Sequence, residues 1–177
     1  NGVIECNADC FDWSYGIYNA NNGKIIMSGG NIKSSAKNPY GIYNNVGSVN
    51  MIGGTINCYG TNGGLTYGIF NGENSDINVA GGEINCDGGS TSNTYGIFNK
   101  NDGNVTITNV TIYSVARYSS ISYGIYNKGD GKITVNSGTV QSSHTNNSGY
   151  GIYNESNGQI IIKNGYISGA GTGVYNK

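Results

Sequence analysis

The stretch "YGIYN" at Tyr15–Asn19 opens a series of seven related segments along the chain. The other six read YGIYN, YGIFN or TGVYN and lie at Tyr40–Asn44, Tyr67–Asn71, Tyr95–Asn99, Tyr123–Asn127, Tyr150–Asn154 and Thr172–Asn176. Their first residues follow one another at intervals of 25, 27, 28, 28, 27 and 22 residues. A period in this range is typical of a solenoid, in which each repeat is one coil that buries its apolar face against the next coil.

Two short segments of alternating apolar residues follow each motif. The first reads "KIIMS", "SVNMI", "DINVA", "NVTIT", "KITVN" and "QIIIK", and the second reads "NIKSS", "TINCY", "EINCD", "TIYSV", "TVQSS" and "YISGA". Alternation of this kind predicts β-strands, and no segment has the apolar period of 3.6 that predicts a helix. We therefore expect three short strands in each of about seven coils of 22–28 residues, with no helix.

Stacking such coils places like residues on like residues and produces aliphatic columns inside a narrow tube. The sequence thus predicts one all-β domain over residues 1–177, a β-solenoid with three parallel sheets. The preference of parallel crossovers for one hand predicts a right-handed coil.

The pattern "YGIYN…G-K-I-x-V…G-G-x-I" resembles the repeats of right-handed parallel β-helix proteins, especially those of repetitive bacterial cell-surface proteins. The resemblance covers nearly the whole chain. It implies the architecture and an extracellular or cell-surface location. It implies no particular activity, because lyases, hydrolases, tailspikes and adhesins share that scaffold.

Within the motif, alternation places the isoleucine and the final asparagine inward. The asparagines would then form a structural ladder that satisfies backbone groups at one corner of the coil. This asparagine ladder consists of Asn19, Asn44, Asn71, Asn99, Asn127, Asn154 and Asn176.

The same alternation places the aromatic residue before each asparagine outward, together with the motif glycine. We call this column the aromatic strip: Tyr18, Tyr43, Phe70, Phe98, Tyr126, Tyr153 and Tyr175. It either stabilises the sheet by ring stacking or, flanked by glycine, serves as a binding strip for a polysaccharide or another protein. We expect the tyrosine that opens each motif to stack at a corner and to be structural.

Alignment of the third strands places Cys6, Cys58 and Cys86 in one inward column of small residues, with serines at 34, 114 and 142 and Gly169. Cys58 and Cys86 lie on adjacent coils, and we expect free thiols there because stacked strands are further apart than disulfide geometry prefers. Cys10 lies outside the column and could pair with Cys6 or with nothing. The absence of a C-x-x-C motif argues against zinc.

Charge is sparse, with nine Lys and Arg against ten Asp and Glu, so nothing predicts nucleic-acid binding. No apolar run is long enough to predict membrane insertion. Asp76, Asp102 and Asp130 fall in turns, Arg117 is the only arginine, and His144 lies in a polar segment where we expect it to be solvated. No pair of carboxylates suited to glycoside hydrolysis can be assembled. We expect no catalytic residue, no cofactor and no metal.

No capping segment is evident at either end of the repeat, which suggests either a segment of a longer protein or a subunit that stacks on itself. The leading hypothesis is a non-enzymatic extracellular structural protein, either a surface-adhesin rod or a filament subunit. The alternative is a carbohydrate-binding module that uses the aromatic strip or the edge formed by the variable segments before each motif. A polysaccharide lyase or hydrolase is the third hypothesis.

Overall fold

The computed structural model describes residues 2–8, 12–61, 63–89, 93–118, 120–146 and 148–177. Within these residues the regular structure consists of twenty β-strands and no helix. In chain order they are β1 (Val3–Asn7), β2 (Trp13–Asn19), β3 (Gly23–Met27), β4 (Asn31–Ala36), β5 (Asn38–Asn44), β6 (Gly47–Met51), β7 (Thr55–Gly60), β8 (Leu65–Asn71), β9 (Ile77–Val79), β10 (Gly82–Asp87), β11 (Asn93–Asn99), β12 (Val105–Ile107), β13 (Val110–Ala116), β14 (Ser122–Asn127), β15 (Ile133–Val135), β16 (Gly138–His144), β17 (Gly149–Asn154), β18 (Ile160–Ile162), β19 (Tyr166–Ser168) and β20 (Thr172–Asn176). No helix able to cross a membrane occurs in this described part of the chain.

Every third strand belongs to the same sheet, and all pairings are parallel. Sheet A has the order β1-β4-β7-β10-β13-β16-β19, sheet B the order β2-β5-β8-β11-β14-β17-β20, and sheet C the order β3-β6-β9-β12-β15-β18. The chain therefore makes about six turns of a parallel β-solenoid with three strands per coil. This confirms the predicted architecture with slightly fewer turns than the seven coils expected. The hand of the coil stays a prediction.

The strands pair in register, so the repeat in the sequence becomes a set of columns in space. In sheet A, Ile56 is the partner of Ile84, and Ile84 that of Ile112. In sheet B, Ile69 is paired with Ile97 in the same way. These side chains are fully buried and belong to one continuous apolar core. Because each coil contributes one strand to each sheet, each isoleucine is covered by its counterparts in the coils before and after it.

The motif glycine faces the interior, which corrects the prediction that it lies outward beside the aromatic strip. A Cβ atom added to Gly96 would meet Ile112 Cγ2 at 2.3 Å and the carbonyl oxygen of Gly124 at 2.5 Å. The alternation of the strand is thus interrupted, because Gly96 and the buried Ile97 both face inward. Glycine is required here because the isoleucine of the following sheet A strand fills the space that a side chain would occupy.

The interruption moves the tyrosine that opens each motif onto the outer face. In the first coil the Ser14 hydroxyl lies 2.6 Å from the Ser34 hydroxyl in the interior, so Ser14 faces inward. Tyr15, the next residue, then faces outward, and its ring packs edge-on against Tyr18. Two aromatic residues spaced by three therefore lie on one face of a β-strand, where strict alternation would separate them.

Replacement of the motif glycine tests this close approach. We expect Gly96→Ala to lower the free energy of unfolding by about 1–3 kcal/mol, because the added methyl group overpacks the contact with Ile112. The matched control is Gly29→Ala, since a Cβ at Gly29 meets no atom within 4 Å. Urea unfolding of the two variants measures the difference, and equal stability would contradict the inward glycine.

Candidate binding surfaces

The asparagine ladder runs without interruption through the coils and is confirmed. In the first six asparagines, Nδ2 donates to the Oδ1 of the counterpart in the next coil at distances of 2.6–2.8 Å, and Asn176 accepts the last of these bonds. Most of these Nδ2 groups also donate to the carbonyl oxygen four residues ahead, as Asn99 does to Gly103 at 2.6 Å. Asn44, Asn71, Asn99, Asn127 and Asn154 are fully buried. The ladder therefore satisfies turn carbonyls that water does not reach.

Aspartates in the neighbouring turns also connect one coil to the next. Asp76 Oδ1 accepts the backbone N–H of Asn104 at 2.8 Å, and Asp102 Oδ1 accepts that of Asp130 at 2.8 Å. Asp130 in turn accepts bonds from the Ser156 hydroxyl and from the Asn157 N–H, and these bonds lower the pKa of its carboxyl group. The three acids act as turn residues, as their positions in turns predict, rather than as one acidic cluster.

The aromatic strip lies on the outer face of sheet B, as predicted. Its successive rings are stacked with centroids 4.7–5.4 Å apart and planes within 10° of parallel. A second stack runs beside it, which we call the tyrosine column: Tyr15, Tyr40, Tyr67, Tyr95, Tyr123 and Tyr150. Its centroids are 4.7–5.5 Å apart. Within each coil the two rings meet edge to face at 4.9–5.4 Å.

The double stack hides the faces of its own rings. Tyr40, Tyr67, Tyr95 and Tyr123 of the tyrosine column are buried, although they project from the outer side of the sheet. In the strip, every ring between the first and the last coil has a neighbouring ring on each face. Only ring edges are left for solvent. Sugar recognition by aromatic residues uses an exposed, flat apolar surface, which this arrangement does not offer between its ends.

Burial has an electrostatic consequence for the phenol groups. Eight tyrosines have a raised pKa, and in each the main cause is burial. They are Tyr15, Tyr40, Tyr43, Tyr67, Tyr95, Tyr123, Tyr126 and Tyr153. The Tyr126 hydroxyl also donates to the Glu155 carboxylate, which opposes ionisation of the phenol and raises its pKa further. Neighbouring tyrosines add a smaller effect, since a second phenolate in the stack would repel the first.

The interior column of small residues is confirmed from Cys6 to Ser142 by the strand register. Cys58 and Cys86 are direct partners on adjacent strands, and both are buried free thiols. Burial, and next the Cys58 thiol beside it, raises the pKa of Cys86, which keeps this thiol protonated and unreactive. Cys10 lies outside the described residues, and so does its possible pairing with Cys6.

His144 is buried, which corrects the expectation that it is solvated. It is the last residue of β16 and pairs with Ala116. Only 8% of its surface is exposed, and its Nδ1 accepts the backbone N–H of Asn146 at 2.8 Å. The polar residues around it predict a loop, but strand β16 includes His144 and the imidazole faces the interior. Among the described residues no group of three His, Cys, Asp or Glu could hold a metal ion.

A groove of about 400 Å³ follows the outer face of sheet A across five adjacent strands, from β1 to β13. It contains Tyr59 and Tyr113, the half-buried amides of Asn57 and Asn85, and the carboxylate of Asp87. We call it the sheet A groove. Asp87 forms a two-point ion pair with Arg117, with Nη2 and Oδ2 at 2.8 Å.

This groove is not among the sites that the sequence predicts. The outward columns of sheet A can be read from alternation, and they place Asn57, Asn85 and Tyr113 in register. The ion pair could not be read in this way, because Asp87 and Arg117 are 30 residues apart and lie around a corner whose length differs between coils. The variable segments beside this corner are described only in part, since residues 62, 90–92, 119 and 147 lie outside the described residues.

Comparison with protein-family models, with curated proteins and with solved structures finds no match to this chain.

Removal of one ladder amide measures its contribution to stability. In Asn99→Ala, the carbonyl of Gly103 and the Asn127 Oδ1 atom each lose a hydrogen bond in the interior. Each buried group left without a partner costs about 1–3 kcal/mol, so we expect a loss of at least about 2 kcal/mol in the free energy of unfolding.

Asn78→Ala is the control, because the Asn78 amide bonds to Asn50 in an exposed pair. We expect its effect to stay within about 0.5 kcal/mol in urea unfolding, and similar losses in both variants would argue against the ladder.

Alkaline titration tests the burial of the tyrosines. A phenol whose pKa is raised by folding binds its proton more tightly in the folded state. Its contribution to stability is therefore complete below the unfolded pKa of about 10 and is lost as the pH rises through the folded value.

We expect the ultraviolet signal of these phenolates to appear at higher pH in the folded chain than in urea, and the urea midpoint to fall above about pH 10. Tyr126→Phe should remove one of the phenols that ionise at raised pH. The strip should tolerate this substitution, since Phe98 already occupies the neighbouring position. Coincident titration of the folded and unfolded chains would contradict the prediction.

Proposed function

We propose that this chain is a non-enzymatic structural rod of an extracellular, cell-surface protein. The proposal rests on the contacts that the repeated motif makes. Each of its five residues is used against a neighbouring coil or a neighbouring sheet, and none is directed to a concave site. The residues of the repeated motif therefore serve to hold the coils and sheets together.

The contacts of one motif illustrate this. The Tyr95 ring stacks on Tyr67 and Tyr123, and Gly96 allows Ile112 of sheet A to approach. Ile97 is fully buried in the core. Phe98 stacks on its two counterparts, and Asn99 bonds to the asparagines before and after it. A motif selected for a ligand would direct some of these groups to solvent.

A rod of this kind extends by about 4.8 Å for each coil. Its stiffness comes from several parallel columns of bonds and ring contacts that must be broken together for the rod to bend. Separation of a binding domain from its anchor, or the building of a fibre wall, needs such regular extension more than it needs a catalytic pocket. Both uses fit the resemblance to repetitive cell-surface proteins.

Among the strands that the structure describes, the first and last of each sheet have a partner strand on one side only. Further coils of the same protein can pair with them, and so can a second copy of the chain. The second arrangement is the filament version of the proposal, in which the partner is the chain itself.

The carbohydrate-binding alternative receives less support at the positions first considered for it. The aromatic strip offers ring edges rather than ring faces between its ends, so its stacking contributes to the sheet. No contact in the described part of the variable segments favours a sugar there.

Immunogold electron microscopy of the producing cells tests the proposal. Antibody raised against the chain should label projections or a layer outside the cell, and label confined to the cytoplasm would overturn the proposal. Depolymerisation of a polysaccharide by the chain, abolished by one point mutation, would overturn its non-enzymatic part. Sedimentation over a range of concentrations then separates the two versions, since a filament subunit forms growing assemblies and a rod segment stays monomeric.

A further inference from the structure

The outer face of sheet A differs from that of sheet B because its columns do not repeat one residue type. Lys33, Asn57, Asn85 and Tyr113 are successive members of one column, and Tyr59 and Asp87 belong to the next. Lysine, asparagine and tyrosine in one column do not form a continuous ladder, although Asn57 and Asn85 share one hydrogen bond. A surface that varies from coil to coil within a regular scaffold provides different groups at fixed spacing, which is what a binding site requires.

The groove contains two tyrosines whose rings are not stacked. Tyr59 is 51% exposed and Tyr113 is 37% exposed, and neither packs against another aromatic ring among the described residues. They lie two strands apart, on β7 and β13. Their ring faces can therefore accept the apolar face of a sugar, unlike those of the aromatic strip.

Hydrogen-bonding groups lie near the two rings, with Asn57 on the same strand as Tyr59 and Asn85 on the strand between the two tyrosines. Asn57 Nδ2 donates to Asn31 at 3.0 Å, and Asn85 Nδ2 donates to Asn57 at 3.2 Å. Each amide nitrogen carries two N–H groups, so each keeps one for a ligand. Asn85 Oδ1 accepts no hydrogen bond from the described residues. Donors and acceptors at neighbouring positions suit the hydroxyl groups of a sugar, which can both donate and accept.

The charges of the groove compensate one another. Glu5 and Lys33 carry opposite charges at neighbouring register positions of β1 and β4, and Asp87 forms an ion pair with Arg117. Such a surface neither attracts a polyanion nor favours a polycation. The inner strands of sheet A are paired on both sides, so an extended peptide finds no free backbone groups on which to add as a strand.

We propose that the sheet A groove binds a neutral linear polysaccharide lying along the axis of the solenoid. Five adjacent strands give the groove a length of about 19 Å, which accommodates several consecutive sugar rings. Tyr59 and Tyr113 stack against two of these rings, and the amides of Asn57 and Asn85 bond to the hydroxyls between them. The carboxylate of Asp87, which Arg117 holds from outside the groove, also lines the site. This site is independent of the structural role proposed above.

Affinity electrophoresis of the full chain tests the proposal, with mixed-linkage β-glucan, xylan or galactomannan in the gel and polygalacturonate as the acidic counterpart. We expect at least one neutral polysaccharide to retard the chain, with little dependence on salt. Tyr59→Ala combined with Tyr113→Ala should weaken that binding about tenfold or more, and Asn85→Ala should weaken it as well. The matched control is Tyr166→Ala, which removes an exposed tyrosine from the outer face of sheet A beyond the groove and should leave binding unchanged.

These substitutions are at surface positions, and equal urea midpoints for the variants and the unmodified chain will show that folding is intact. Lack of retardation by all three neutral polysaccharides would overturn the proposal. So would an equal loss in Tyr166→Ala, or retardation by polygalacturonate alone that salt abolishes, since either result assigns the binding to another surface or to charge. Binding of extended peptides in place of the neutral polysaccharides would overturn it too.

Discussion

Each coil of this solenoid can bury its side chains only against the coils above and below it. One strand spacing separates equivalent positions in successive coils, so every stacked position, inside the tube or on the outer face of sheet B, must tolerate a similar residue about 4.8 Å away. Isoleucine meets this condition by dispersion contacts, aromatic rings by stacking, and asparagine by donating with one end of the amide and accepting with the other. The in-register parallel pairing selects these residue types, and the repeated motif follows from that constraint.

The glycine of the motif links two of the three sheets. By facing inward it lets an isoleucine of sheet A approach the backbone of sheet B, as at Gly96 and Ile112. The same interruption of the strand places Tyr95 and Phe98 on one outer face, where their rings meet edge to face. The close approach inside the tube and the double stack outside are thus two consequences of one backbone feature. A second cluster, built from aromatic rings, therefore forms on the exterior of the tube, while the core inside consists of aliphatic residues and cysteine.

Most of the architecture could be predicted from the sequence, because in-register stacking turns a repeat into columns directly. The asparagine ladder, the aromatic strip and the cysteine column required only the period of the repeat and the alternation along a strand. The glycine direction was predicted wrongly, because alternation assumes an uninterrupted strand and the interruption depends on an isoleucine from another sheet. The spacing of three between Tyr15 and Tyr18 is the signal that could have revealed it. His144 and the Asp87–Arg117 pair lie at corners of variable length, where no repeat fixes the alignment.

Regularity and recognition place opposite demands on the same surface. A column of identical residues maximises stacking, but it presents the same group at every coil and its groups bond to one another. A ligand-binding site needs different chemical groups at neighbouring positions, with hydrogen-bond donors and acceptors that are not used within the protein. In sheet B the repeat extends to the outer face, and the rings cover each other. In sheet A the repeat is confined to the inner positions, while Asn57, Tyr59, Asn85 and Tyr113 vary outside it. A solenoid can therefore remain a rod along one face and acquire specificity along another, because the stacking of its core does not depend on the outward residues of sheet A.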